Sequence, residues 1–566
     1  MIPFGYNLIM PDGKNLIIIL PDSLINKIAA GEVIDRPASV VRELIDNSID
    51  ANATRIDVEV IHGGKRLIRV SDNGTGMNRD DAVMSLERHA TSKLRTEDDL
   101  FRISTLGFRG EALPAIASVS KMVITTSSGD EQIGTRIEVA GGEKKRVSAA
   151  PPLRGTTVEV RDIFYNTPAR RKFLKGVSTE LSHIIEIITQ RAFAYPDISF
   201  SLMHNNNKIL DVISTPNIRE RFLQLYGEEF VSEFMEIRNE RGGINIKGFV
   251  STPESLRERR SHQSVFVNRR AVRNHIVNHA IYNGYGEFLQ RGKHPAFFIF
   301  IEIEPEMIDV NVHPAKMEVR FESPQEIHQC VEGAVHAALH PERVEEYYKE
   351  PLSEDRLTVR EDMVSPLSYI QRGFFTDGVA SAPQRYLRIG DVFIASVSDK
   401  GLMIIDQHAA HERVLYERFL KKRGLNPEPL FLPFRIELPK REHHIITSHL
   451  KLLNEIGLEI EDFGGNDIIV KSVPQELKKA DIKNILMDIA SGIIEEDPDD
   501  REAILKEISA RLACHRSVRG GSQLNDEEIV SMLSDLERCS EPERCPHGRP
   551  TRVFISLDDL KKMFKR

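Results

Sequence analysis

The sequence predicts a multidomain α/β protein that ends in an α+β unit, and three observations predict it. A chain of 566 residues exceeds what one core accommodates, so about three domains are expected. From residue 20 to 226, helical patterns alternate with strand-like runs such as RIDVEVIHG, RLIRVSD and GTTVEVRDI, which predicts an α/β layer arrangement. A polar, proline-punctuated stretch over 341–383 lacks sustained periodicity and reads as a linker.

In order along the chain, the predicted domains are 1–226, 227–340, the linker 341–383, and 384–566. The second block mixes the strands INIKGFVS, SVFVN, AFFIFIEI, MIDVNV and MEVRF with a helix around 274–289. After the linker, RIGDVFIASVSDKGLMIID reads as two strands joined by a turn at 399–401, followed directly by the helix HERVLYERFLKK. Further helices are expected at SHLKLLNEIG, DIKNILMDIASGII and REAILKEISARLA. Residues 1–19 have no assigned role beyond a tail or an added strand.

The composition, 40% hydrophobic and 28% charged, is that of an ordinary soluble protein. A net charge of −9 excludes a wholesale basic coat, so any nucleic-acid contact must come from local patches. The start has no signal-peptide pattern, and no apolar stretch is long enough to span a membrane. Four cysteines (Cys330, Cys514, Cys539, Cys545) make no disulfide framework and fit a reducing compartment.

No Walker A loop is present. In the helix VVRELIDNSIDANA, Val41, Leu44, Ile45 and Ser48 form a stripe that can face a sheet. Glu43 and Asn47 stack one turn apart on a neighbouring face. A carboxylate can orient and deprotonate water while an amide oxygen ligates Mg²⁺, although such a pair alone is more often a solvated face. SDNGTGM follows a strand: Gly74 and Gly76 permit close backbone approach, and Asp72 can accept from an exocyclic amine such as adenine N6. HATSKL and GFRGEAL then flank a polar loop, the second opening a helix whose free N–H groups can seat phosphate. GTTVEV adds a strand entry with hydroxyls, Thr156 among them.

E-x-x-x-N, D-x-G-x-G, GFRGEAL and GTTV, in this order, resemble the four motifs of the GHKL ATPases. INKIAAGEVIDRPASVVRELIDNSIDA together with RHATSKL resembles the MutL branch of DNA mismatch repair proteins. The resemblance implies a GHKL (Bergerat) α/β sandwich, a ribosomal-S5-like α/β second domain, and a C-terminal α+β dimerisation and endonuclease domain. It implies ATP with Mg²⁺, Glu43 as general base, Asn47 as Mg²⁺ ligand and Asp72 on adenine. Thr91, Ser92 and Lys93 would lie in a lid over the phosphates, and Gly107, Arg109 and Gly110 in the phosphate-contacting loop. DVNVHPAKMEVRF is similar to MutL proteins as well, which implies that Lys316 reaches the terminal phosphate from the second domain.

Two basic clusters are candidates for phosphate contacts. PARRKFLK holds Arg170, Arg171, Lys172 and Lys175, and no aromatic interleaving for stacked bases was expected in either cluster. The other runs over 257–273, where FVNRRAV resembles the DNA-binding stretch of MutL relatives and makes Arg270, with Arg269, the favoured contact. Binding to double-stranded DNA is expected to be sequence-independent and weakened by salt.

DQHAAHERVLYE closes a strand and opens a helix, where Asp406 is either an N-cap or a ligand. His408 and Glu412 have the four-residue spacing that chelates one ion, whereas Glu417, five residues beyond Glu412, falls roughly 140° around the helix from it and away from His408. In CPHGRP, Pro546 is expected to extend Cys545 so that thiolate and imidazole of Cys545 and His547 point the same way, as a Zn²⁺ or Mn²⁺ grip. With ACHR, these segments resemble the endonuclease motifs of nicking MutL proteins. The resemblance implies that Asp406, His408, Glu412, Cys514, Cys545 and His547 hold one or two ions, with Asp406 and Glu412 catalytic. EPLFLP resembles a sliding-clamp motif, with Glu428 in place of glutamine and Phe431 in place of leucine.

The family implies a homodimer, a MutS-type mismatch recognition partner and a cytoplasmic, DNA-associated location. The alternative from another class is a non-cleaving, ATP-gated scaffold in which the Cys/His cluster binds structural zinc. A type II topoisomerase or sensor kinase is disfavoured, since neither the cleavage-tyrosine nor the phosphoacceptor-histidine arrangement is present.

Overall fold

The computed structural model describes residues 33–93, 105–107, 110–129, 131–257, 260–290, 292–309, 319–340, 386–390, 392–398, 401–421, 427–478, 480–493, 501–516 and 526–563. The expected linker, the N-terminal extension, Arg109 and Lys316 lie outside them. Contacts divide the chain into two compact units. The first is Met1–Ile188 with Tyr195–Pro216 and Asn311–Lys316, and the second is the remainder.

In the first unit, α1 (Pro37–Asp50) starts with proline at its first turn, where a missing N–H costs nothing. Its stripe of Val41, Leu44, Ile45 and Ser48 is buried. Next come β1 (Arg55–Ile61), β2 (Leu67–Asp72), α2 (Arg79–Met84), α3 (Ala112–Ser118), β3 (Lys121–Ser127), β4 (Gly134–Ala140), β5 (Glu143–Ala150) and β6 (Gly155–Arg161). They are followed by α4 (Pro168–Lys172), α5 (Val177–Ala194), β7 (Ser199–His204) and β8 (Asn207–Val212). The strands form one eight-stranded sheet in the order β5-β4-β3-β6-β2-β1-β7-β8. Only the β1–β7 pairing is parallel. The alternation in RIDVEVI puts Ile56, Val58 and Val60 inside, as period-two patterning requires. α1 packs on β2, and α3 packs on β3 and β4.

The second unit contains α6 (Ile218–Tyr226), α7 (Glu228–Val231), β9 (Phe234–Arg241), β10 (Ile244–Ser251), β11 (Gln263–Val267), β12 (Arg270–Val272), α8 (His275–Tyr285), β13 (Phe297–Glu302), β14 (Ile308–Asp309), β15 (Arg320–Phe321) and α9 (Pro324–Leu339). A five-stranded sheet, β12-β11-β13-β10-β9, is covered by α9, which in turn packs on α8. Phe193, Phe222, Phe249 and Phe298 form a ring cluster with centroids about 5–6 Å apart, a favoured aromatic spacing.

Its later residues form β16 (Tyr386–Ile389), β17 (Phe393–Ser398), β18 (Gly401–Asp406), α10 (Gln407–Lys421), β19 (Pro427–Glu437), α11 (Lys440–Ser448), α12 (Leu450–Glu455), β20 (Glu459–Gly464), β21 (Asp467–Pro474), α13 (Ile482–Ile493), α14 (Arg501–Arg516), α15 (Asp526–Glu537), β22 (Arg552–Ser556) and α16 (Leu557–Met563). An antiparallel sheet, β16-β17-β18-β22, turns Ile394 and Ile405 towards Val414 of α10 and Ile529 and Leu536 of α15. Its opposite face presents Leu387, Ile389, Phe393 and Val553 at 67%, 43%, 43% and 53% exposure, an uncovered apolar surface. A second sheet, β19-β21-β20, has α12 packed on β20, while α13 packs on α11 and α14. All four cysteines are free. Among the described residues, no helix is long and apolar enough to cross a membrane.

Candidate functional site

The nucleotide-type residues gather at one end of the first unit's sheet. Asp72 closes β2, and its Oδ1 accepts from the backbone N–H of Gly74 (2.9 Å) and Thr156 (3.2 Å) while Ser48 Oγ donates to Oδ2 (2.9 Å). Burial raises its carboxyl pKa against these bonds. Gly74 and Gly76 are required by contact. A Cβ at Gly74 would lie 2.6 Å from the Ala51 carbonyl oxygen, and one at Gly76 (φ 65°) 2.0 Å from that of Ser127. Thr156 Oγ1 lies 2.9 Å from Thr126 Oγ1, which also accepts from the Met77 N–H.

On α1, Glu43 is partly exposed and pairs with Arg42 at 3.4 Å. Asn47 Oδ1 accepts from Lys93 Nζ at 2.9 Å, so the amide oxygen expected to face a metal already faces a cation. Lys93 also meets Asp50 at 2.5 Å. Asp50 in turn receives the N–H groups of Leu106 (2.9 Å) and Gly107 (3.0 Å). Asp50 thus ties Lys93 to the glycine loop, a role the sequence reading missed. The signal was present: Glu43, Asn47 and Asp50 are spaced i, i+4, i+7 on one helical stripe. Thr91 Oγ1 accepts from Lys93 N–H at 3.1 Å, and Ser92 is exposed beside it. Gly110 (φ 61°) sits against the Ala90 carbonyl, and its own carbonyl accepts from His89 N–H at 3.1 Å, which joins the two motifs.

In the second unit the structure gathers a smaller metal-type set than the sequence implied. Glu412, Cys545 and His547 place their ligand atoms within 4.8 Å of one another. Glu412 is fully buried, with Arg549 Nη2 donating to its Oε2 at 3.3 Å. Its Oε1 lies 2.7 Å from His547 Nδ1, an ion pair inside the cluster. Bonding to Cys545 and then Glu412 raises the His547 pKa to about 9. Burial, the largest influence, pushes the Cys545 thiol up, but its side-chain and backbone bonds with His547 together bring the net shift down. A carboxylate, a thiolate and an imidazole around one point are the donor set a Zn²⁺-like ion takes.

Asp406, His408 and Cys514 are not part of this cluster. Asp406 Oδ1 accepts from Ala409 N–H at 3.0 Å, the bland helix-start role. His408 lies half-buried in the first turn of α10, and Cys514 half-buried near the end of α14. The expected extended C-x-H is corrected: Cys545 and His547 lie in a tight turn, closed by Gly548 N–H to the Cys545 carbonyl at 2.9 Å. Pro546 fits that turn through its fixed φ. Glu417, buried on α10, instead accepts from Ser540 N–H and Oγ, both at 2.6 Å, and so fixes the segment leading to Cys545.

For the DNA residues, Asn268 and Arg269 form the positive-φ tip between β11 and β12, with Arg269 exposed. Arg270, the favoured contact from sequence, is 7% exposed on edge strand β12, where it pairs in register with Val267.

A helix presenting Glu43, Asn47 and Asp50 beside a glycine-bounded aspartate defines an ATP-binding ATPase of the α/β-sandwich class. Residues 35–160 match the family described as histidine kinase-, DNA gyrase B-, and HSP90-like ATPase. Residues 222–340 match the DNA mismatch repair protein, C-terminal domain, and 388–524 the MutL C terminal dimerisation domain. The chain is 42% identical to the DNA mismatch repair protein MutL of Thermodesulfovibrio yellowstonii, over 98% of this chain and 100% of that protein. It is 37% identical to that of Syntrophotalea carbinolica, over 97% of this chain and 99% of that protein. The chain belongs to the MutL family of DNA mismatch repair proteins. The solved Aquifex aeolicus MutL ATPase domain complexed with ADP is similar at 30% identity and a TM-score of 0.36, covering 48% of this chain and 94% of that domain.

Proposed function

We propose that this mismatch repair protein couples ATP binding and hydrolysis in its first domain to nicking of double-stranded DNA at Glu412, Cys545 and His547. Organisation into 1–226, 227–340, a linker over 341–383, and 384–566 belongs to this reading. Glu43 is the general base, Asn47 Oδ1 the oxygen that meets Mg²⁺, and Asp72 the acceptor for adenine N6. Thr156 closes the adenine side. Thr91, Ser92 and Lys93 cover the phosphates; Gly107, Arg109 and Gly110 contact them, and Lys316 reaches them from the second domain. The Lys93 ammonium on Asn47 Oδ1 supports that assignment, since it marks the oxygen as a cation acceptor.

The observation that carries the nicking half is the convergence of the ligand atoms of Glu412, Cys545 and His547 within 4.8 Å of one another around a fully buried carboxylate. Glu412, Cys545 and His547 would hold a Zn²⁺ or Mn²⁺ ion, which would supply Lewis acidity for phosphodiester hydrolysis. Glu412 and Cys545 offer anionic donors, and His547 offers a nitrogen once its proton leaves. Asp406, His408 and Cys514 belong to the implied ligand set, and Asp406 is catalytic in this reading. The uncovered face around Leu387, Ile389, Phe393 and Val553 suits a second copy of the chain, making a homodimer. Double-stranded DNA meets the exposed tip at Arg269, with Arg270 buried behind it, a MutS-type protein supplies mismatch recognition, and EPLFLP on edge strand β19 offers Leu432, 74% exposed, to a sliding clamp. The protein works in the cytoplasm on chromosomal DNA.

The capping bond of Asp406 favours a second reading, a non-cleaving scaffold with structural zinc. Supercoiled plasmid with Mn²⁺ separates the two. Nicking by the intact protein and its loss in Glu412→Gln, with ATP turnover retained, is the expected result. Absence of nicking with zinc still bound would leave the scaffold.

A further inference from the structure

At the end of the first unit's sheet opposite Asp72 lies a cavity of about 590 Å³. The strand registers place it there. Ile61 pairs with Leu67, Leu67 with Arg161 and Arg161 with Lys121, whereas Asp72 and Gly155 mark the nucleotide end. Strands of six or seven residues separate the two ends by about 20 Å, so one ligand cannot fill both.

The cavity is lined by His62, Lys65, Arg66, Lys121, Tyr165 and Arg171, with Asp162 as its one acid. Lys121 answers that acid at 2.9 Å. Arg66 and Arg171 make no ion pair among the described residues. Lys65 acts at longer range on Glu180, whose carboxyl is raised by burial and held back partly by Lys65. The positive charge is therefore in excess, and it converges in a concavity instead of spreading along a groove. Ile163 and Leu174 supply an apolar floor. His62, Asp162 and Phe164 take φ of 58°, 51° and 61°, backbone conformations that persist where the surrounding structure over-determines them.

Aromatic surface completes the set and corrects the sequence expectation. Tyr165 is 36% exposed, with Lys121 Nζ 5.3 Å from its ring centroid. Phe173, inside PARRKFLK, is 85% exposed next to Arg171 and Leu174. Large exposed rings beside a cationic concavity suit a planar base attached to phosphate.

We propose that this cavity is a second nucleotide site, one that takes a terminal phosphomonoester with its base laid on Tyr165 or Phe173. A terminal phosphate carries nearly two charges and three open oxygens, which several converging cations can meet at once. A continuous backbone offers only single charges and has no free end to enter a pocket. The site is independent of ATP at Asp72 and of the metal cluster. Its nucleotide comes either from a free monophosphate or from the 5′ end of a DNA strand.

The test compares a labelled short oligothymidylate carrying a 5′-phosphate with the same strand ending in 5′-hydroxyl, by fluorescence anisotropy on the full chain. The phosphorylated strand should bind about tenfold more tightly, the worth of roughly one strong charged contact. The Lys65→Glu/Arg66→Glu variant alters side chains at the cavity rim. It should lose that preference while ATP turnover and the melting transition stay unchanged. Phe173→Ala should weaken both strands and keep the preference. Thymidine 5′-monophosphate, which lacks the adenine amine that Asp72 meets, identifies the source. Displacement at equal concentration points to free nucleotide, and failure to displace points to a strand end. Equal affinity of the two strands for the intact protein, or a preference that survives the double variant, would overturn the proposal.

Discussion

Replacing Asp50 by asparagine tests whether the Lys93 segment and the glycine loop are held by one carboxylate. Asp50 lies at the last residue of α1, with its side chain 5% exposed, and collects the Lys93 ammonium and the N–H groups of Leu106 and Gly107. Asparagine can still accept from the backbone, but as a neutral group, and its NH₂ turns a donor towards Lys93. Hydrogen bonds to a charged group contribute about 1.5–3 kcal/mol each, against about 1 kcal/mol for neutral ones. Losing the charge therefore removes about 2–3 kcal/mol of loop ordering, which ATP must then supply when it binds. That weakens binding about 30–150-fold. Asp50→Ala, which deletes every acceptor, should be weaker still. Binding of a fluorescent ATP analogue gives the Kd, and circular dichroism checks that α1 stays folded. A Kd within about threefold of the parent, in a folded Asp50→Asn protein, would refute the idea that this carboxylate organises the loop.

Two further perturbations address other contacts. Glu43→Ala should bind ATP normally and turn it over about 10²–10⁴-fold more slowly, the usual worth of a general base; undiminished steady-state turnover would remove Glu43 from that role. Glu417→Ala strips a buried carboxylate from Ser540 N–H, Ser540 Oγ and its ion-pair partners Arg413 and Lys421. Breaking a buried pair on one side costs about 3–5 kcal/mol, so the calorimetric transition of the C-terminal part should fall by on the order of 10 °C. The ATPase transition in the same scan serves as the control, and a C-terminal transition that does not move would count against this role.

Much of the first unit was legible because its signals are local. The stripe on α1 and the alternation in β1 follow from helical and strand periods, and Asp72, Gly74 and Gly76 are spaced by one turn. Lys93 and Asp50 were harder, since 43 residues separate partners that only the tertiary fold unites. The C-terminal part was less readable. β19 contains prolines at 427, 429 and 433 that argue against a strand, yet it is an edge strand whose pairing with β21 shifts between Pro429 and Phe434. α11 and α15 were not anticipated; α11 is rich in histidine and charge and buries only Glu442, Ile445 and Ile446. Glu412 and Cys545 could be linked through motif resemblance but not through spacing, because the turn at Gly548 (φ 83°) sets their geometry.

The bare side of the β16-β17-β18-β22 sheet makes folding of this end a matter of quantity as well as sequence. Leu387, Ile389, Phe393 and Val553 are exposed, so in the proposed homodimer part of the hydrophobic stabilisation arrives only on association. Dilution then weakens β16 at the sheet's edge before it weakens the helix-covered side. Abundance in the cell thereby becomes a term in the stability of the sheet whose strand β18 leads into Asp406 and the helix bearing Glu412.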